Sequence, residues 1–166
     1  ATLPLAAPTR SGRPTIGAMI QMDALVGPIA EKALADGVTI AVAESLTCGA
    51  LVNALGAGES SSEWLAGGVA AYMMSTKVDV LGVTAGIDPC SAQCAEELAV
   101  GVRTLLRADV AMSTTGVGGP DPEDGHEPGT VFIGWATGDG QGHVALKFEG
   151  GPEEVLEQSV ATALRE

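Results

Sequence analysis

The chain has 166 residues, enough for one domain with a real core and too few for two ordinary ones. Its 21 acidic and 8 basic residues give a formal charge of -13, with the bases scattered, so the overall field repels a nucleic-acid backbone and no direct nucleic-acid binding is expected. With 46% apolar residues and no run of membrane length, the composition points to a globular chain rather than a membrane-spanning or disordered one.

Residues 1–17, rich in Pro, Thr and Gly, read as a flexible N-terminal arm ahead of a single domain at 18–166. They lack a continuous apolar signal core, and with three cysteines in no disulfide spacing the expected location is cytoplasmic. From about Met22 to Ala35, apolar residues recur at helical spacing; Pro28 marks either an early turn or the true start. Val38 to Ala43 reads as a strand, followed by a helix from about Leu46 to Leu55 that ends at Gly56 and Gly58. Gly67 to Tyr72 suggests a second short strand, and Ser75 to Leu81 a short helix closed by Gly82. Ser91 follows Pro89 and can cap a long helix to Leu106. Val110 to Thr114, Val131 to Ala136 and His143 to Phe148 predict three more strands, and Pro152 to Leu164 a final helix with Glu153 and Glu154 near its positive end. This alternation predicts an α/β fold with helices on both faces of a sheet, made mixed by the late hairpin.

Ser45 falls where the first strand turns towards a helix, at the sheet edge where open α/β proteins bind ligands. There the N-H groups of Leu46, Thr47 and Cys48 could hold an oxyanion while the hydroxyl attacks a carbonyl carbon; the alternative is a simple helix cap. Lys77 is the only Lys or Arg between Ala33 and Val102, and it follows the lone tyrosine, Tyr72, by five residues. A lysine of lowered pKa can serve as general base, with Tyr72 orienting it; the alternative is a solvated lysine and a packing tyrosine. Neither histidine, His126 or His143, lies within these segments, so a Ser-His-Asp arrangement fits less well. Glu44 could pin the turn or hydrogen-bond substrate. Thr114 to Pro120 offers hydroxyls and flexible amides suited to phosphate or carboxylate, and reads equally as a plain turn. Asp121 to Pro128 lacks calcium-loop spacing and reads as a mobile loop or lid, while Cys90 and Cys94 lack partners with zinc-ligand spacing, so no metal is expected.

Ala43-Glu-Ser-Leu-Thr-Cys-Gly49, Gly67-Gly-Val-Ala-Ala-Tyr72 with Lys77, Leu81-Gly-Val83, Thr115-Gly-Val-Gly-Gly-Pro120 and Gly129-Thr-Val131 together resemble the successive signatures of the CinA C-terminal domain family, over roughly residues 22 to 165. The resemblance implies a three-layer α/β/α sandwich around a mixed, mostly parallel five-stranded sheet. It also implies hydrolysis of the carboxamide of nicotinamide mononucleotide to nicotinate mononucleotide and ammonia. By matched motif, Ser45 is the nucleophile, Lys77 its base and Tyr72 their hydrogen-bonding partner. Glu44, Leu46, Thr47, Cys48, Thr115, Gly116, Gly118 and Gly119 are the expected substrate-binding residues. No cofactor is implied, the expected partner is a small pyridine nucleotide, and the resemblance is to a self-associating, stand-alone form. Two alternatives stand beside it: a non-catalytic binding module of the competence and DNA-damage context, and a serine amidase for another small amide. The chain departs from the family pattern Glu-Ser-Cys-Thr-Gly-Gly by Leu46 and Cys48, and its Gly150-Gly-Pro152 stands where an arginine is common before the last helix.

Overall fold

A computed structural model describes residues 16–166, with side chains from Met22 onward. The expected arm at residues 1–15 lies outside the described residues. Ile16 and Gly17, expected to belong to it, begin helix α1 (Ile16–Asp36). Pro28 sits inside this helix and leaves the Ala24 carbonyl without its helical donor. Burial of Val26, Ala30 and Ala33 against Leu55 and Trp64 opposes that cost.

The remaining elements follow the expected order. They are β1 (Ile40–Glu44), α2 (Ala50–Gly56), α3 (Ser61–Trp64), β2 (Leu65–Ala70), α4 (Met74–Leu81), α5 (Ala92–Leu106), β3 (Val110–Gly116), β4 (Thr130–Ala136), β5 (Gln141–Lys147) and α6 (Pro152–Ala163). The one-turn helix α3 carried no periodic signal because four residues span barely a turn; its Trp64 is buried and its indole N-H donates to the Glu59 carbonyl at 2.9 Å. Ser91 caps α5 as expected, its hydroxyl accepting from the Cys94 amide at 3.1 Å.

The sheet order is β2-β1-β3-β4-β5. β2, β1 and β3 are parallel, whereas β3-β4 and β4-β5 are antiparallel, so β4 alone runs against the other four strands and the sheet is mixed and mostly parallel, as expected. The reason is the β3-β4 connection, a loop that returns the chain antiparallel where a helix would have made a parallel crossover. Along β1, Val42 faces a core shared with α1, α2, α3 and α6, while Ala41 and Ala43 face Leu81, Leu98 and Val102 of α4 and α5. Helices therefore cover both faces in three layers. The second interface is built close: a Cβ at Gly101 of α5 would strike the Leu81 backbone carbonyl of α4. That contact sets how near α4 lies to α5.

Candidate active site

β1 lies between β2 and β3, so the chain leaves its carboxyl end towards one neighbour and later returns on the other side. Such a switch point opens a crevice beyond the strand ends. Glu44 pairs in register with Thr114, and the Ser45 amide donates to the Thr114 carbonyl at 2.9 Å. Ser45 and Thr115 thus leave adjacent strands side by side.

Immediately after Ser45 the structure differs from the predicted helix start at Leu46. Residues 45–49 form a turn, and α2 begins only at Ala50. Cys48 (φ 45°) and Gly49 (φ 98°) both occupy left-handed backbone, which an α-helix of L residues does not continue. The turn is held by Glu44, whose buried carboxylate accepts from the amides of Gly49 at 2.9 Å, Leu51 at 3.0 Å and Val52 at 2.8 Å. The Thr47 and Thr114 hydroxyls hydrogen-bond at 2.7 Å and tie the turn to β3. The Cys48 amide donates to the Ser45 carbonyl at 3.1 Å, whereas the Leu46 and Thr47 amides have no partner among the described residues. Of the three amides that could hold an oxyanion, two remain open.

On α4, Lys77 and Leu81 are the buried residues, four apart on one face, so a lysine occupies a position where an apolar side chain would ordinarily pack. Lys77 is 2% exposed. Its Nζ donates to Ser45 Oγ at 3.0 Å and to the Tyr72 backbone carbonyl at 3.0 Å. Burial pushes the Lys77 ammonium pKa down from its ordinary 10.5, with Cys94 and Glu123 acting in the opposite direction. The Cys94 thiol is pushed up to about 11, chiefly by burial, and so remains protonated at neutral pH.

Tyr72 reaches this pair through its main chain, and the residue as a whole is 64% exposed. The phenol makes no hydrogen bond among the described residues, so the expected contact is present through a different atom.

Ser45 and Lys77 line a cavity of about 370 Å³. Leu46, Thr115, Gly116, Gly118 and Gly119 line it as well, as does Tyr72. Glu44, Thr47 and Cys48 are not in its wall; they build the turn from behind. The wall also includes residues not expected from sequence, among them Cys90, Glu123, Asp124, Pro152 and Leu156. The acidity of the 121–128 loop was the one available signal for Glu123 and Asp124. Leu156 belongs to a helix remote in sequence, and nothing local marks it. The Cys90 thiol is pushed up to about 11, first by burial, with Asp88 adding to it. Among the described residues, no group of three or more His, Cys, Asp or Glu side chains is arranged to hold a metal ion, and no helix is long and apolar enough to cross a membrane.

The fold and site define a three-layer α/β/α protein that carries a buried serine-lysine pair at the carboxyl edge of a mixed sheet. More particularly, the chain belongs to the CinA C-terminal domain family, which matches residues 22–166. A Bacillus velezensis relative provisionally named competence-damage inducible protein is 44% identical over 114 residues, covering 66% of this chain and 27% of its own. Its Bacillus subtilis namesake is 45% identical over 102 residues, covering 59% and 24%. The chain thus spans about a quarter of the length of these curated relatives. Among solved structures, a CinA superfamily protein from Escherichia coli is 30% identical with a TM-score of 0.84, covering 87% of each chain. A competence/damage inducible protein from Agrobacterium tumefaciens is 27% identical with a TM-score of 0.83, covering 87% of this chain and 92% of that one.

Proposed function

We propose that the protein is a serine amidohydrolase acting on the carboxamide of a pyridine nucleotide, the reaction type being hydrolysis of nicotinamide mononucleotide to nicotinate mononucleotide and ammonia. The observation that carries this reading is the 3.0 Å contact between Lys77 Nζ and Ser45 Oγ at the wall of a cavity. In the neutral lysine, one N-H stays on the Tyr72 carbonyl and the lone pair faces the serine hydroxyl. Ser45 Oγ attacks the carboxamide carbon as its proton passes to Lys77 Nζ. The tetrahedral oxyanion is held by the open amide of Leu46, which lines the cavity. Collapse breaks the C-N bond, and Lys77 returns the proton to the departing nitrogen, releasing ammonia and leaving an acyl ester on Ser45. Water then attacks that ester, giving its proton to Lys77; the ester bond breaks, Ser45 Oγ recovers the proton, and the carboxylic acid leaves.

No step in this sequence uses a metal or an organic cofactor. The test is ammonia release from a panel of pyridine and non-pyridine carboxamides by purified protein without added metal. Stoichiometric ammonia and carboxylate from a pyridinium carboxamide support the proposal. Hydrolysis confined to non-pyridine amides would retain the chemistry and reject the substrate; no hydrolysis by a folded protein would reject both.

A further inference from the structure

The proposed chemistry leaves the Tyr72 side chain without a task. Its main-chain carbonyl is committed to Lys77, whereas its phenol has no partner among the described residues, and the residue stays 64% exposed although it lines the cavity. An aromatic ring left open to water forgoes the burial that ordinarily stabilises such a side chain. The other aromatic residues are placed differently. Trp64 is buried in the core, and Trp135, Phe132 and Phe148 lie outside the cavity wall, so Tyr72 is the one aromatic residue in it.

The backbone under this ring is fixed on both sides. The Ala71 amide donates to the carbonyl of Glu44, the residue before Ser45, at 2.8 Å, and Lys77 Nζ donates to the Tyr72 carbonyl at 3.0 Å. The ring is therefore carried on main chain tied to both the serine turn and the lysine, while the side chain remains free to choose its rotamer. Leu46, Met74, Val117 and Leu156 add apolar surface to the same cavity.

The charge of the cavity favours a cation beside the ring. Lys77 is the one cationic side chain among the described wall residues, and it is neutral when it acts as a base, whereas Glu123 and Asp124 both bring carboxylates. Their loop is fastened to the body of the protein: His126 Nε2 meets Asp88 Oδ2 at 2.7 Å, and Asp88 Oδ1 accepts from the Cys90 amide at 2.8 Å. A flat, positively charged heteroaromatic ring satisfies both features, stacking on the π face of tyrosine within the field of the carboxylates. A phosphate on the same molecule is accommodated, since the amides of Gly118 and Gly119 in the same wall are open.

We infer that Tyr72 is the specificity-determining residue for the substrate's ring: its side chain stacks on the pyridinium of the carboxamide and selects the cationic ring over the same molecule with an uncharged one. The inference rests on the amidohydrolase reading and adds the group that recognises the ring. The π face carries this role, and the phenolic hydroxyl has no part in it.

The probes are nicotinamide mononucleotide and its reduced dihydropyridine form, which share carboxamide, ribose and phosphate and differ in the charge and aromaticity of the ring. Tyr72→Leu keeps the main-chain carbonyl and removes the π face; Tyr72→Phe keeps both. With the oxidised mononucleotide, Tyr72→Leu is expected to raise KM by about fivefold or more, and Tyr72→Phe to hold KM within about twofold of wild type. Ring selection is read separately by calorimetry on Ser45→Ala, which lacks the proposed nucleophile. There the oxidised form should bind about tenfold more tightly than the reduced one, and adding Tyr72→Leu should narrow the gap to about threefold or less. A merely structural tyrosine would weaken both forms equally. That result, or an unchanged KM in Tyr72→Leu, would overturn the inference while ammonia release by the wild type left the amidohydrolase reading standing. No ammonia from a folded wild type would remove the amidohydrolase reading and the inference with it.

Discussion

Three side chains separate chemistry from architecture at the site. Tyr72 supplies its carbonyl to Lys77 while its phenol stays outside the pair, so Tyr72→Phe is expected to keep kcat within about twofold of wild type in the ammonia assay. Lys77 is the opposite case. Its pKa is lowered in the folded protein, so the neutral, base-competent form grows as pH rises through that lowered value; kcat/KM should rise with pH and then level. The same shift affects stability. The unfolded chain holds this proton more tightly, so the contribution is fully present above the unfolded value near 10.5 and is lost as pH falls through the folded one. Lys77→Met should remove that pH dependence, raise stability at pH 7 by about 1 kcal/mol in urea unfolding, and cut turnover by about a thousandfold. Glu44 holds three amides from a fully buried position, so Glu44→Ala should cost about 3 kcal/mol by the same measurement. Ser45 and Lys77 were legible in the sequence because each breaks a local pattern. Which Tyr72 atom is used was not, because a main-chain contact leaves no mark on residue type.

The elements show where periodicity carries information and where it fails. α5, with its serine cap and long amphipathic run, falls where the pattern places it. α2 starts at Ala50 rather than at Leu46, because residues 45–49 have helix-compatible composition yet are held as a turn by a buried carboxylate and two left-handed residues. Composition does not encode that tertiary constraint. The α4-α5 contact is equally invisible locally, but it positions the catalytic candidate: Leu81, whose carbonyl lies against Gly101, ends the same short helix that carries Lys77. Gly101→Ala should push the two helices apart, costing about 1–3 kcal/mol in urea unfolding. Its kcat should fall with KM nearly unchanged, because the displaced group is the proposed base. Unchanged stability and kcat together would show that α4 can yield without disturbing Lys77.

Across the whole molecule, the parallel half of the sheet positions Ser45 and Lys77, and the antiparallel half supplies the loop with Glu123 and Asp124. The layer order was readable from alternating strands and helices. So was a mixed sheet, from the late hairpin, whereas the antiparallel pairing of β4 with β3 depended on a connection whose direction composition does not specify. The far wall of the cavity, at Pro152 and Leu156, exists only once α6 has packed back over the sheet. The serine-lysine pair, 32 residues apart in sequence and 3.0 Å apart in space, is the feature on which the functional account depends. Its most direct test is metal-free ammonia release by wild type and Ser45→Ala, with circular dichroism and unfolding curves to establish that both are folded. The account predicts turnover by the wild type and a loss of about a thousandfold or more in the variant at unchanged stability. Wild-type turnover in a folded Ser45→Ala would contradict it.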